Sequence, residues 1–385
     1  MSQKRPAAGG ESCEQDSFFI EKSSCERYYS LLKRKRKEWN KVKKFLKKTV
    51  VIIGIFLVLF TGNAGVRAVS APETIPSAQQ PEEWQELQVH YIDVGQGDST
   101  LLICGDQAML IDAGNNNKGT TVQLYLQKQG IDALDYVVGT HPDADHIGGL
   151  DVIITKFDCG TIFMPDVSND TNTYRDVLDA MKYKDYSVTV PGVGDTYTLG
   201  DATFTILEPS RNYMEMNNNS IVIRVEHGEN TFLFVGDAAE ESEADMLVSG
   251  LPLQAQVLKV GHHGSSSSTS KAFLDVVHPD YAVISCGRDN SYGHPTAETL
   301  TTLREAGVQV FRTDEQGSIV VTSDGQKLVF SQTPYAYMLN TNTMKFHRPG
   351  CLSIQKMAED NKLPSNQSRE EILAKGYEPC QICKP

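Results

Sequence analysis

The sequence predicts an α/β fold in which two mixed β-sheets pack face to face with helices outside them, a four-layer αββα sandwich. Three observations lead there. From residue 87 onwards, short β-branched and apolar runs of strand length recur, separated or ended by Gly and Asp turns. Runs of helical length and pattern are interleaved with them from residue 120. The first strands follow one another as hairpins while later ones alternate with helices, which suits two mixed sheets better than one doubly wound parallel sheet.

In chain order, strands are expected over 89–94, 100–104 and 109–112, where Gly and Asp turns bound runs such as Thr100-Leu-Leu-Ile-Cys104. A helix over 120–129 precedes a buried strand over 134–139 that stops at Gly139, and a second helix runs over 151–156. A helix over 173–181 follows, then strands over 203–207, 220–226 and 231–235, and a helix over 240–248. The last units are strands over 256–260 and 281–285 with a helix over 271–277, a helix over 296–306, and strands over 308–311 and 318–322. These elements delimit a domain over 86–333.

The flanks differ in composition. The first 48 residues are strongly basic and lead into Val50-Val-Ile-Ile-Gly-Ile-Phe-Leu-Val-Leu-Phe60. That run is short for a bilayer span of about 20 residues. It reads as the hydrophobic part of an export signal, with cleavage after Ala64 or Ala68, or as an uncleaved anchor. The expected organisation is a basic cytoplasmic extension over 1–48, a signal sequence or membrane anchor over 49–68, and a Pro/Gln/Ser-rich linker over 69–85. Basic residues stay on the cytoplasmic side, so the rest is expected outside, secreted or anchored facing outward, with membrane contact only through the amino-terminal segment. Both flanks lean basic while the whole 385-residue chain has a net charge of −13, so the central domain is more acidic than the chain. Such a domain repels polyanions at long range unless a local basic groove or a bound metal intervenes.

Four clusters within the domain carry metal-ligand chemistry. His141-Pro142-Asp143-Ala144-Asp145-His146 places two imidazoles and two carboxylates on the loop after a buried strand. Thr231-Phe-Leu-Phe-Val-Gly-Asp237 ends a second strand in a carboxylate, for which capping the next helix is the competing role. Gln256-Val-Leu-Lys-Val-Gly-His262-His263-Gly264-Ser265 ends a third strand in two histidines, and His294 follows a fourth. Carboxylates and imidazoles repeating at strand ends can converge on two ions about 3.5–4 Å apart. Cys104, Cys159 and Cys286 are scattered and read as free buried thiols.

The order of these motifs is similar to that of the metallo-β-lactamase superfamily. With Asp93-Val-Gly-Gln-Gly-Asp-Ser99, the region resembles more closely the exported hydrolase domain of ComEC-type competence proteins. The resemblance implies a metallo-β-lactamase fold with two divalent ions. His141 and Asp143 would hold the first ion, Asp145 and His146 the second, and Asp237 would bridge them. His262 or His263 would complete the second; His263 is favoured because the family pattern puts a small and then a hydroxyl residue after the ligand. Two departures matter: Asp143 stands where the family has a histidine, and the third-motif histidine is replaced by Asn217-Asn-Asn-Ser220. Both make the first position harder, favouring Mn²⁺ over Zn²⁺ there.

The resemblance further implies hydrolysis by metal-activated water. Asp145 or Asp237 would orient the nucleophile, and His294 or Lys259 would stabilise developing negative charge, with His294 also a candidate to protonate the leaving group. Asp93 and Asp98 are read as parts of a tight Gly-containing turn.

His347-x₃-Cys351 followed by Cys380-x₂-Cys383 has zinc-ligand spacing. A disulfide is the competing reading in an exported protein. The segment 338–385 resembles the small zinc-binding module of the Ada DNA-repair protein, with His347 where that module has its first cysteine. A structural zinc ion is therefore expected, and a metal staple suits a segment too short to bury much core. The function expected is an exported metal-dependent hydrolase of the phosphodiesterase or nuclease type, acting on nucleic acid or a small phosphoester. The alternatives are a hydrolase of a small ester, such as a choline phosphoester or a lactone, and a non-catalytic accessory of DNA binding or uptake.

Overall fold

A computed structural model describes residues 84–332, 337–348, 351–365 and 367–385. The expected basic extension, the export signal or anchor and nearly all of the linker lie outside the described residues. Among the described residues no helix is long and apolar enough to cross a membrane.

The strands are β1 (Leu87–Tyr91), β2 (Thr100–Cys104), β3 (Gln107–Ile111), β4 (Ala133–Val138), β5 (Asp158–Phe163), β6 (Val188–Thr189), β7 (Thr196–Leu199) and β8 (Ala202–Glu208). They continue as β9 (Val222–His227), β10 (Asn230–Phe234), β11 (Val257–Lys259), β12 (Tyr281–Ile284), β13 (Gln309–Arg312), β14 (Ile319–Ser323) and β15 (Leu328–Phe330). One sheet has the order β15-β14-β1-β2-β3-β4-β5-β6, the other β13-β12-β11-β10-β9-β8-β7. Each is mixed: β3 to β6 and β10 to β13 pair in parallel, and the remaining neighbours are antiparallel.

Three cores account for the layering. Leu87, Val89 and Tyr91 of β1 meet Phe204, Phe232 and Phe234 of the other sheet in a central apolar layer. The intervening His90 bonds Tyr125 of helix Gly119–Lys128 on the outer face, which is the period-two alternation of a strand between two layers. Val122 and Leu126 of that helix, Leu150 and Ile153 of Leu150–Lys156 and Val177 of Asn172–Tyr183 cover the first sheet. Met246, Phe273 and Leu303, from helices Glu240–Ser249, Lys271–Val277 and Ala297–Glu305, cover the second. The fold is the expected αββα sandwich.

Two expected elements, β2 and helix Lys271–Val277, match the observed bounds to the residue, and most others fall within one residue of them, while β5, β6, β7 and β15 were not legible. In β5 the Asp-Cys-Gly start breaks the apolar pattern, because an added Cβ on Gly160 would lie 2.5 Å from the Asp135 carbonyl oxygen of β4. The other three are short strands at or near sheet edges with mostly half-buried or exposed residues.

The carboxyl-terminal residues form a separate four-stranded sheet. Its strands β16 (Tyr337–Asn340), β17 (Lys345–His347), β18 (Lys362–Ser365) and β19 (Glu378–Pro379) run in the order β18-β16-β17-β19. Its helix Arg369–Ala374 starts with a capping box made by Ser368 and Glu371.

Candidate metal centre

The site lies at the carboxyl ends of five strands drawn from both sheets. In α/β folds such ends converge on one crevice, so residues far apart in sequence can meet there. β3 ends before Asp112, β4 feeds the His141–His146 loop, β10 ends before Asp237, β11 before His262 and His263, and β12 before Ser285.

The four histidines share one arrangement: Nδ1 is held by the protein and Nε2 lies near Asp237. His141 Nδ1 is 3.2 Å from both Thr140 Oγ1 and Ser220 Oγ. His146 Nδ1 is 2.8 Å from Asp112 Oδ2, and Asp112 is fixed in turn by the backbone N–H and hydroxyl of Thr140. His263 Nδ1 donates to the Ser285 carbonyl at 3.0 Å, and His262 Nδ1 is 3.1 Å from Ser267 Oγ. On the other side, His146 Nε2 is 3.2 Å from Asp237 Oδ1, while Nε2 of His141, His262 and His263 are 3.9, 3.6 and 3.8 Å from Asp237 Oδ2. His263 Nε2 also lies 3.2 Å from Asp145 Oδ2, and His141 Nε2 3.8 Å from Asp143 Oδ2.

Buried polar atoms are almost always hydrogen-bonded. Here Nε2 of His141, His146 and His263, together with Asp237 Oδ1, are buried without a hydrogen-bond partner. Ring nitrogens oriented from behind and converging on one carboxylate are what divalent-ion binding requires. The residues therefore fit the ions that the sequence implied. Asp143 caps no helix with its side chain despite preceding the turn Ala144–Ile147, which leaves its carboxylate available.

The charges reinforce one another. Burial would depress His146, but Asp237 and Asp112 outweigh it and hold the imidazole well above its usual range. His263 is likewise depressed by burial, yet Asp237 and Asp98 push it up to about 10. Burial raises Asp145, but the adjacent His263 and His146 imidazoles outweigh it and bring the carboxyl to about 2. Burial takes His141 down to about 3, helped by the His146 charge. Protons on His146 and His263 must leave before those nitrogens can ligate, so ion binding is coupled to proton release.

Two expectations change. Lys259, read as facing developing negative charge, is buried with Nζ 2.7 Å from Asp98 Oδ2 and donating to the Val260 carbonyl at 2.9 Å, so its charge is spent inside the fold. Asp98, read as a turn residue, is buried, and its Oδ1 lies 3.1 Å from His263 Nδ1. Its contact is on the Nδ1 side of that ring, so Asp98 supports His263 from behind. Asp112 was missed, although Leu110-Ile111-Asp112 repeats the pattern of an apolar strand ending in a carboxylate. The Ser285 carbonyl carries no residue-type signal.

The loop bearing Asp98 is locked onto the ligand loop, since Asp98 N–H donates to the Asp145 carbonyl at 3.0 Å. Gly97 has φ +140°, and an added Cβ would lie 2.4 Å from that carbonyl oxygen. Gly97→Ala is expected to cost about 1–3 kcal/mol in urea denaturation and to weaken ion binding measured by titration. Unchanged values of both would show that the loop yields without cost.

His294 is buried, and its ring centroid is 5.4 Å from that of His262. Its Nδ1 lacks a hydrogen-bond partner, and burial, with the neighbouring histidine charges, lowers it to about 4. Beside the site, a cleft of about 450 Å³ is lined by Asp93, Gln96, Lys118, Arg288 and Asn290 among others. It shares the Asp93–Asp98 loop, and Asn290 Oδ1 accepts from the His294 N–H at 3.0 Å.

In the carboxyl-terminal sheet, ligand atoms of His347, Cys351, Cys380 and Cys383 lie within 4.8 Å of one another. Cys351 Sγ and Cys380 Sγ are 4.0 Å apart, and all three thiols are free. Two thiolates on one tetrahedral Zn²⁺, at about 2.3 Å each, stand roughly 3.8 Å apart. Backbone N–H groups of Ile382 and Arg348 donate to Cys380 Sγ and Cys383 Sγ at 3.4 Å, and buried His347 Nδ1 has no partner.

Residues 92–288 match the family model described as the metallo-beta-lactamase superfamily. The chain is 30% identical over 268 residues to ComE operon protein 3 of Bacillus subtilis, covering 65% of this chain and 34% of that protein. It is 31% identical over 251 residues to competence protein ComA of Neisseria gonorrhoeae, covering 64% of this chain and 33% of that one. The chain thus spans about a third of the length of these curated relatives. Among solved structures it is similar to the metallo-beta-lactamase fold protein YhfI from Bacillus subtilis, with 14% identity and a TM-score of 0.43 over 62% of this chain and 100% of that one.

Proposed function

Because the chain belongs to the metallo-β-lactamase superfamily, we propose that its two-sheet domain is a metal-dependent phosphodiesterase that acts on nucleic acid outside the cytoplasm. The observation that carries the hydrolase reading is the set of imidazole nitrogens, unpartnered and buried for His141, His146 and His263, gathered around Asp237. One of the relatives is named a competence protein, and that likeness supports a nucleic-acid substrate. Export rests on the basic and apolar runs before residue 61.

Divalent ions held here would lower the pKa of a water and polarise the scissile phosphoryl group. His141 and Asp143 would hold one ion, Asp145, His146 and His263 the other, with Asp237 between them. Asp112, Ser220, Ser285 and Asp98 keep the imidazoles turned inward. Asp145, beside His263 and still ionised at neutral pH, would orient the nucleophile. His294, neutral at that pH, would donate one hydrogen bond to a substrate oxygen. In the carboxyl-terminal sheet, His347, Cys351, Cys380 and Cys383 would hold a structural Zn²⁺ that staples a small core.

The test is incubation of the full chain with Mn²⁺ or Zn²⁺ and plasmid or single-stranded DNA, beside an Asp145→Ala variant. Wild-type cleavage that the variant loses is the expected result. Cleavage that survives in Asp145→Ala would sink the mechanism. DNA retained on a gel without cleavage would favour a binding protein, and turnover of a small ester alone would redirect the substrate class.

A further inference from the structure

We infer that His262 is a ligand of the first ion, taking the place of the histidine that is missing around Asn217. The inference rests on the two-ion reading above and concerns how the first ion is held.

The backbone supplies the first argument. His262 and His263 are consecutive, and both adopt left-handed conformations, with φ/ψ of 47°/47° and 53°/22°. For a residue with a Cβ this region costs roughly 1–2 kcal/mol each. Strain of that kind persists only where the surroundings over-determine it, and it clusters at functional sites. A regular strand would send neighbouring side chains to opposite faces. Here both imidazoles reach the same carboxylate oxygen, Asp237 Oδ2, at 3.6 and 3.8 Å.

The second argument is the partition of neighbours. His263 Nε2 lies 3.2 Å from Asp145 Oδ2, which assigns it to the second ion. Among the described residues the carboxylate beside His262 Nε2 is that of Asp237, whose Oδ2 it shares with His141. The Asn217 side-chain nitrogen stands 3.4 Å from His262 Nδ1, so the amide at the altered motif abuts the His262 ring. Ser267 Oγ, 3.1 Å from the same Nδ1, can accept its proton and leave the Nε2 lone pair to ligate, as the supporting groups do for the other three histidines.

The first position then holds two imidazoles and two carboxylates, from His141, His262, Asp143 and Asp237. That set is softer than the sequence implied and suits Zn²⁺ as well as Mn²⁺. The side chains of His262 and Asp143 are 26% and 40% exposed, while in the second set Asp145 is 29% exposed and His146 and His263 are buried, so solvent meets more of the first ion's ligands.

The experiment is a Mn²⁺ titration of the metal-stripped full chain, followed by electron paramagnetic resonance and calorimetry, because Mn²⁺ discriminates against the thiolate cluster. Wild type is expected to bind two ions. His262→Gly, which accepts the left-handed backbone without strain, is expected to keep one ion and to weaken the other at least hundredfold, with no loss of melting temperature in the stripped protein. With Co²⁺, His262→Cys is expected to add a thiolate-to-cobalt charge-transfer band to the wild-type spectrum. Two ions bound with wild-type affinities by His262→Gly would overturn the inference while leaving the two-ion reading intact. So would His262→Cys with Co²⁺ in the thiolate cluster and in both positions around Asp237, three ions in all, without the added band. A single ion bound by wild type would overturn both.

Discussion

Asp237→Ala is expected to reduce hydrolysis by roughly 10³-fold or more, the scale seen when one member of a group acting as a unit is removed. Its carboxylate approaches all four imidazoles, with Oδ1 facing His146 and Oδ2 facing His141, His262 and His263. Removing it leaves several buried nitrogens without the anion that gathers them. The backbone is not the cause of the loss, since Asp237 N–H is satisfied by Ser220 Oγ at 3.0 Å whatever the side chain is. Ion counting and single-turnover cleavage on the same sample provide the check. Full ion occupancy with normal turnover would remove Asp237 from the centre.

Lys259→Ala is expected to destabilise the domain by about 3–5 kcal/mol, the cost of stranding one partner of a buried ion pair. Lys259 and Asp98 are both buried and 2.7 Å apart, and Lys259 is what compensates the Asp98 carboxylate behind His263. Urea denaturation of single and double variants measures this. A double Lys259→Met, Asp98→Asn variant should recover much of the stability, because no buried charge is left uncompensated. A single-variant loss below about 1 kcal/mol, the scale of an exposed pair, would show that water reaches Lys259.

The layering was legible in the sequence because strands covered on both faces, such as Phe232-Leu-Phe234, read as continuous apolar runs, and the covering helices keep their amphipathic period. β6 and β7 were hidden because exposed edge strands carry no such signal. The ligand loop and Asp237 were legible as residue types at strand ends. What spacing could not carry was direction. It could not turn Lys259 into the fold or show Asp98 behind a ring 165 positions later in the chain. It also could not place two adjacent histidines on one carboxylate, since that depends on two left-handed residues in succession. Asp112 was within reach of the same strand-end argument that found Asp237.

The ligands come from both leaves of the sandwich: His141, Asp143, Asp145 and His146 follow β4 of one sheet, while Asp237, His262 and His263 follow β10 and β11 of the other. An ion bound between them is a clasp across the open mouth of the fold, so loading and folding draw on the same free energy. At a hundred times its dissociation constant, one ion that binds only the folded chain adds about 2.7 kcal/mol to stability. Where free metal varies, the stability margin of this protein would rise and fall with metal supply, so scarcity would loosen the fold as well as empty the site.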